Sequence, residues 1–233
     1  MRNAVKHAAS SRAWVRGFHL TFGEPAVIEI LASVGLDFVY LDGEHGSFGT
    51  RDIEACCVAA ERHGLTPIAR IPDRSAATIT SFLDRGVQGL VVPHVDSLAH
   101  AKEVIEAAYY GPLGARSFGG SRPHYGLGIA DQVAHLAECN ERTSICIMIE
   151  SKGALDAAAD IAALPGIDYL SYGLNDLAQS LGFPGKPSHP DVLAAVGDCT
   201  ARIHAAGKPV REDFMRFAWV KDLLVTGARQ LIG

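Results

Sequence analysis

A chain of 233 residues that is 48% hydrophobic can bury one sizeable core, which fits one α/β barrel or two small domains. A net charge of -5 and a pI near 6.0 argue against nucleic acid as a partner, because phosphate binding needs a basic face. No run of about 18 apolar residues is present, so no membrane span is expected, and with no apolar signal core in the first sixteen residues the chain reads as cytoplasmic.

Short apolar strands alternate with helical stretches along the chain. Strands are expected at residues 17–22, 38–41, 66–71, 89–92, 144–149, 169–172, 208–211 and 229–232. Helices are expected between them at 25–34, 51–63, 75–85, 97–108, 130–141, 153–163, 190–206 and 214–226. Gly35, Gly64, Gly86, Gly207 and Gly227 sit just past expected helix ends, where a left-handed residue stops a helix. Eight β units with helices between them predict a (β/α)8 TIM barrel of α/β class, as a single domain over residues 1–233. After the last expected strand the chain stops almost at once, so a closing C-terminal helix is expected to be missing. The longest irregular stretch, residues 110–128, holds six glycines and is of a length that is usually functional. The five cysteines, Cys56, Cys57, Cys139, Cys146 and Cys199, show no ligand spacing and read as free thiols rather than a disulfide or zinc set.

Two acidic residues point to chemistry. Glu150 ends the run Ile145-Cys146-Ile147-Met148-Ile149, and Asp176 follows Tyr169-Leu170-Ser171-Tyr172-Gly173-Leu174-Asn175. A strand buried on both faces reads as a continuous apolar run, and barrels carry their chemistry at the C-terminal strand ends. Glu150 and Asp176 would hold Mg2+ or Mn2+, with Co2+ as a further option, through oxygen ligands. Such an ion acts as a Lewis acid on the carbonyl of a 2-oxo acid and stabilises an enolate. Arg70 would donate to the same oxygen. His45 can exchange protons near neutral pH, and Asp84 or Glu44 would orient it or the waters on the ion. The N–H groups of Gly173, Leu174, Asn175 and Asp176, opening a helix, offer a seat for a carboxylate. Singly, each residue has an ordinary reading: Asp176 as a helix cap, Glu150 as a partner of Arg116 or Arg122, His45 as a turn residue, Arg70 in a salt bridge. Their joint placement on four strand ends is what suggests a site.

At these positions the chain resembles the HpcH/HpaI aldolase family, the metal-dependent (class II) pyruvate aldolases whose type activity is 2,4-dihydroxyhept-2-ene-1,7-dioate aldolase. The matching stretches are Phe38-Val39-Tyr40-Leu41-Asp42-Gly43-Glu44-His45-Gly46, Pro67-Ile68-Ala69-Arg70, Leu83-Asp84-Arg85-Gly86 through Val92-Pro93, Ile149-Glu150-Ser151, and Gly173-Leu174-Asn175-Asp176-Leu177. The resemblance implies a phosphoenolpyruvate/pyruvate-binding type of barrel. It implies Glu150 and Asp176 as metal ligands, Arg70 on the pyruvyl oxygens, and His45 as the acid/base residue helped by Asp84. Asp42 and Glu44 would support these from behind. The implied reaction is reversible cleavage of a 4-hydroxy-2-oxo acid to pyruvate and an aldehyde. Two departures bear on the pocket: Met148 stands where relatives often have glutamine, and His19 where they often have an aromatic residue on the first strand. His19, the 110–128 stretch and the loop after Asp42 are expected to set the aldehyde pocket, with Arg122 and His124 either meeting an acidic aldehyde or simply solvated. The family builds a hexamer by exchanging C-terminal helices; here a homo-oligomer, trimer or hexamer, is expected from the apolar surface a barrel open at its last helix would expose. Other readings remain: a lyase of the citrate lyase β-subunit or malyl-CoA type, an oxaloacetate-type decarboxylase on the same enolate, or a non-catalytic metal-binding barrel.

Overall fold

In the computed structural model, residues 3–124 and 128–232 are described. Seven parallel strands form one curled sheet: β1 (Val15–Leu20), β2 (Phe38–Asp42), β3 (Thr66–Arg70), β4 (Gly89–Val92), β5 (Ser144–Ile149), β6 (Tyr169–Tyr172) and β7 (Met215–Trp219). Their order is β6-β5-β4-β3-β2-β1-β7, so each of the first five pairs with its successor and the last returns to the first. This is the α/β barrel the sequence predicts.

The period of two along each strand divides the apolar residues between two cores. Val39, Leu41, Leu90, Ile145, Ile147, Ile149 and Leu170 point outward into the layer shared with the surrounding helices. Phe38, Tyr40, Ile68, Val91, Cys146, Met148, Tyr169 and Met215 point into the barrel. The outer layer is supplied by α2 (Pro25–Ala32), α3 (Thr50–Arg62), α4 (Ala76–Asp84), α5 (Leu98–Ala108), α6 (Gln132–Arg142), α7 (Lys152–Ala163) and α9 (Pro190–Ala205). Gly35, Gly64, Gly86 and Gly207 follow four of these helices at φ between 76° and 99°, the left-handed conformation expected of them.

Two short helices lie outside the sequence expectation. α1 (Ala4–Ser11) plugs the base of the barrel with Val5, Ala8 and Ala9. Asn3 caps it and also donates to the carbonyls of Gln88 and Arg142 (2.8 and 2.7 Å), tying the plug to the strand beginnings. α8 (Leu174–Ser180) follows β6 directly at the mouth.

The C-terminal region corrects three expectations. Residues 229–232 are helical, not a strand; they lie in α10 (Val220–Ile232). The eighth barrel position is taken by β7, inside the stretch expected to be helical; Met215 is buried and Arg216 exposed, and Phe217 and Trp219 are half-buried, the alternation of a strand. A helix therefore does follow the last strand, and the expected lack of one is overturned; Gly227 lies within it. The seventh position, expected at 208–211, shrinks to a single bridge between Val210 and Leu170, with Leu170 N–H donating to Pro209 O at 3.1 Å. The reason is chain length. A parallel neighbour needs a crossover of about a dozen residues, yet only Arg211–Phe214, with a 3-10 turn at Arg211–Asp213, separates Val210 from β7. The wall between β6 and β7 is thus bridged near its base alone. Phe214 fills that base, edge-on to Tyr169 at 5.2 Å.

Among the described residues no helix is long and apolar enough to cross a membrane.

Candidate active site

The inward parity of the strands carries straight into polar residues at the mouth. Positions 38, 40 and 42 on β2, 68 and 70 on β3, 146 and 148 on β5 with 150 just past its end, and 215, 217 and 219 on β7 alternate inward. Asp42 and Arg70 end their strands as register partners. Arg70 grips the Asp42 carboxylate with two hydrogen bonds, Nε to Oδ1 at 3.0 Å and Nη2 to Oδ2 at 2.6 Å. Asp42 Oδ1 also accepts the backbone N–H of His45 at 3.1 Å. Burial alone would raise the Asp42 pKa, but the nearby His19 ring, the Arg70 fork and the His45 N–H hold it well below the usual carboxylate range. Asp42 is therefore a fixed anion that orients Arg70. The following turn needs its glycines: a Cβ on Gly46 would lie 2.3 Å from Asp42 O, and one on Gly43 2.8 Å from Arg70 O. That tight turn pushes His45 out into the mouth, where its side chain is exposed and its Nε2 lies 4.0 Å from Glu44 Oε2. Glu44 also meets Arg70 Nη1 at 3.2 Å.

Glu150 lies just past β5 and is buried, 6% exposed. Its Oε1 accepts the His94 N–H at 2.5 Å, and the His94 ring Nδ1 lies 3.1 Å from the same oxygen. The other ring nitrogen of His94 lies 3.3 Å from Glu44 Oε1, so this imidazole bridges two carboxylates. His94 reaches both only with a left-handed backbone, φ 58°, a strained state for a residue with a Cβ and one that clusters at functional sites. Burial pushes the Glu150 pKa up; the His94 N–H and ring oppose the rise, and the charges of Glu44 and Asp176 add to it. Glu150 Oε2 faces Gly173, where a Cβ would stand 2.8 Å from that oxygen and 3.2 Å from Met148 Sδ. Glycine there leaves room beside a buried carboxylate oxygen. α8 starts at the next residue, and its first turn presents Leu174, Asn175 and Asp176, all exposed.

The opposite wall is aromatic. His19, at the inward position of β1, is 3% exposed. Its ring meets Trp219 edge-on at 3.7 Å between centroids and Tyr40 at 4.6 Å. Its Nε2 lies 3.4 Å from Asp42 Oδ2 but is not aligned to donate, and Nδ1 has no partner among the described residues. Burial drives its pKa down against the pull of Asp42, so the ring is held neutral. The mouth therefore offers a buried carboxylate with one oxygen facing the space at Gly173, a fixed guanidinium, two exposed imidazoles, His45 and His94, and a buried neutral imidazole.

Comparison with known proteins shows where such a mouth belongs. The HpcH/HpaI aldolase/citrate lyase family description matches residues 16–220. The chain belongs to the HpcH/HpaI aldolase/citrate lyase family. It is a carbon–carbon lyase. A 4-hydroxy-2-oxovalerate aldolase of Rhodococcus jostii (strain RHA1) is 35% identical over 208 residues, 88% of this chain and 79% of that protein. A hydroxypyruvate/pyruvate aldolase of Roseovarius nubinhibens is 31% identical over 209 residues, 88% of this chain and 80% of that one. Among solved structures, a family protein from Burkholderia cenocepacia J2315 is 26% identical with a TM-score of 0.88, covering 99% of this chain and 98% of that chain.

Not every residue that the HpcH/HpaI resemblance nominates reaches the mouth. Asp84 ends α4, which runs away from the mouth, and it holds Arg116 Nη2 at 2.7 Å. It does not meet His45, because residues at the end of a helix following a strand lie at the barrel base. The 110–128 stretch likewise follows a helix. Its described part, up to His124 and from Gly128, packs at the base, where Arg122 pairs with Glu61 at 2.5 Å; residues 125–127 lie outside the described residues. Neither Arg122 nor His124 lines the aldehyde side. Two mouth residues escaped the sequence reading. His94 directly follows Val91-Val92-Pro93, and a histidine just past a strand end was a usable signal. Trp219 was hidden by the helical assignment of its strand.

Proposed function

We propose that this chain reversibly cleaves a 4-hydroxy-2-oxo acid to pyruvate and an aldehyde, with a divalent cation held by Glu150 and Asp176. The observation that carries this reading is the buried Glu150 carboxylate, its Oε2 facing the space at Gly173, with Asp176 and Glu44 adding like charge around it. Like charges gathered in a half-buried cleft suit a hard cation, and an all-oxygen donor set favours Mg2+ or Mn2+. Bound there, such an ion would supply Lewis acidity to the keto oxygen of the substrate.

The protein groups do the rest. Arg70, locked by Asp42, donates to the pyruvyl oxygen as negative charge grows there. In cleavage His45 takes the proton of the C4 hydroxyl, the C3–C4 bond breaks, and its electron pair passes to C3 as the aldehyde leaves. A proton delivered to C3 then completes pyruvate. Glu44 holds both Arg70 and His94 and so fixes the cation-facing edge of the site. The N–H groups of Leu174, Asn175 and Asp176, opening α8, would seat the substrate carboxylate, the Gly173 N–H being held by Ile149 O at 3.1 Å. His19, neutral and with a free ring nitrogen, forms the wall on which the aldehyde part would rest beside Trp219. The relatives' names, a 4-hydroxy-2-oxovalerate aldolase and a hydroxypyruvate/pyruvate aldolase, both support aldol chemistry on a 2-oxo acid.

The test is cleavage of 4-hydroxy-2-oxovalerate by the protein after chelation and after return of Mg2+ or Mn2+. Metal-restored cleavage in the wild type, lost in Glu150→Gln and Asp176→Asn with the fold intact, is expected. Undiminished cleavage in both variants would remove the carboxylate pair from the site.

A further inference from the structure

At the base of the barrel, away from the mouth, three side chains with nitrogen and sulfur donors converge. His124 ends a 3-10 turn (Arg122–His124). His135 and Cys139 lie four residues apart on α6, on one face of that helix. His124 Nδ1 stands 2.7 Å from His135 Nε2, and Cys139 Sγ lies 3.6 Å from the same His135 nitrogen. All three donor atoms fall within 4.8 Å of one another. The sequence showed no ligand spacing here because only the pair on α6 is regular; the third donor arrives from the preceding loop.

Two imidazoles facing nitrogen to nitrogen can share one proton, and a hydrogen bond would explain that pair. It does not explain the thiol beside them or the orientation of His124. The other ring nitrogen of His124, Nε2, lies 3.0 Å from Tyr110 Oη. With Nε2–H donated to that hydroxyl, Nδ1 is left as a lone pair aimed at the cluster. This is the outer support a metal-bound histidine usually has. Tyr110 is itself fixed, its backbone N–H donating to Asn140 Oδ1 at 2.8 Å and its ring lying 4.8 Å from the Arg116 guanidinium. Charge near the cluster is balanced, since Arg116 pairs with Asp84 and Arg142 with Glu138. A tetrahedral ion with bonds of about 2.0–2.3 Å needs ligand atoms about 3.3–3.6 Å apart. The spacing of Cys139 Sγ from His135 Nε2 already meets this, the two imidazoles need to part by only about half an ångström, and Cys139 Sγ and the His124 nitrogen start within 4.8 Å of each other.

We propose that His124, His135 and Cys139 bind a zinc-class ion that pins the loop before α6 onto that helix. Two nitrogens and one sulfur select a borderline ion such as Zn2+ over the hard cations suited to Glu150 and Asp176. On binding, the proton between the two imidazoles leaves His135 Nε2 and is taken up at the other nitrogen of that ring, Nδ1, by exchange with solvent, so both rings ligate as neutral imidazoles; the Cys139 thiol gives up its proton to solvent as the thiolate–metal bond forms. The fourth position is open to water or a small ligand. Cys139 also lines a cavity of about 420 Å³ with Arg116, Arg122 and Glu61, so the ion would stiffen one wall of that cavity.

Cobalt titration of the full-length, chelator-treated protein tests this, with Co2+ as the visible substitute for zinc. A sulfur-to-cobalt charge-transfer band in the near ultraviolet, saturating at one equivalent and displaced by Zn2+, is expected. Cys139→Ser abolishes the band, and His124→Ala, a loop change that leaves α6 intact, weakens cobalt binding at least about tenfold. Glu150→Gln leaves the band unchanged, which separates this site from the one at the mouth. Zinc raises the thermal midpoint of the wild type but not of His124→Ala, as expected of an ion that binds only the folded site. No charge-transfer band in the wild type, or a band that survives Cys139→Ser, would overturn the proposal.

Discussion

At the scale of single residues, Asp42 organises the mouth without touching the carbon that reacts. It fixes Arg70 through two hydrogen bonds, so the guanidinium is presented already oriented. Asp42→Ala would leave Arg70 paired with Glu44 alone, and a loss of about 3–5 kcal/mol in stability is expected, read by urea unfolding. The pH dependence has a definite sign. The folded-state pKa of Asp42 lies below its unfolded value, so its stabilisation is full above about pH 4 and drains away as pH falls through the folded value. The stability gap between wild type and Asp42→Asn is therefore expected to narrow on acidification below about pH 4, and a gap that widened would refute this role. Arg70→Ala should cost about 10²–10³ in kcat, the usual loss for one donor to a developing oxyanion, while cation binding is largely retained. Glu150→Gln makes the opposite trade: it removes a buried charge beside Glu44 and Asp176, so chelator-treated protein should be as stable as wild type or more so, yet inactive. Calorimetry of the chelator-treated proteins reads the first, and a cleavage assay after return of Mg2+ or Mn2+ reads the second.

At the scale of elements, the site is assembled by strand parity and by two tight approaches. Inward alternation on β2, β3 and β5 delivers Asp42, Arg70 and Glu150 to one end, and this much was legible because each strand is a continuous apolar run that ends abruptly in a charge. The turn from β6 into α8 adds the second approach. Gly173→Ala would set a Cβ 2.8 Å from Glu150 Oε2 and displace that carboxylate, so a fall in cation affinity of about 10- to 100-fold is expected by calorimetric titration, with the fold retained. What was not legible follows from local pattern losing to tertiary context. Met215–Trp219 alternates in burial, but its flanks are helical in composition, and the pairing of Val15 with Met215 through His19 with Trp219 is what makes it a strand. The Leu231–Ile232 pair looks like a strand fragment, yet it ends an α10 whose outer residues are exposed. Asp84 shares a stretch with mouth residues in sequence, but α4 carries it to the other end of the barrel, where it meets Arg116. His94 could have been found by its place just past a strand end, but its bridge between Glu44 and Glu150 depends on a left-handed backbone that no spacing rule foretells.

At the scale of the whole molecule, the barrel is closed unevenly. Six strands and β7 make a continuous sheet, and a single bridge at Val210 stands where a seventh strand would run. The missing crossover leaves Arg211 turned over Phe217, at 5.4 Å, on the side where the wall is reduced. α10 exposes Leu223, Leu224, Leu231 and Ile232, and we expect this face to be covered by another copy of the chain. Light scattering should give a trimer or hexamer, and a monomer at micromolar concentration would contradict that expectation. The central claim, that this mouth forms an enolate from pyruvate with a cation held by Glu150 and Asp176, does not depend on the assembly or on the aldehyde. Its most direct measurement is solvent deuterium exchange into the methyl group of pyruvate, followed by proton NMR, with chelator and with added Mg2+ or Mn2+. Exchange that requires the cation and vanishes in Glu150→Gln is predicted; folded, cation-loaded wild type that leaves the methyl protons unexchanged would contradict it.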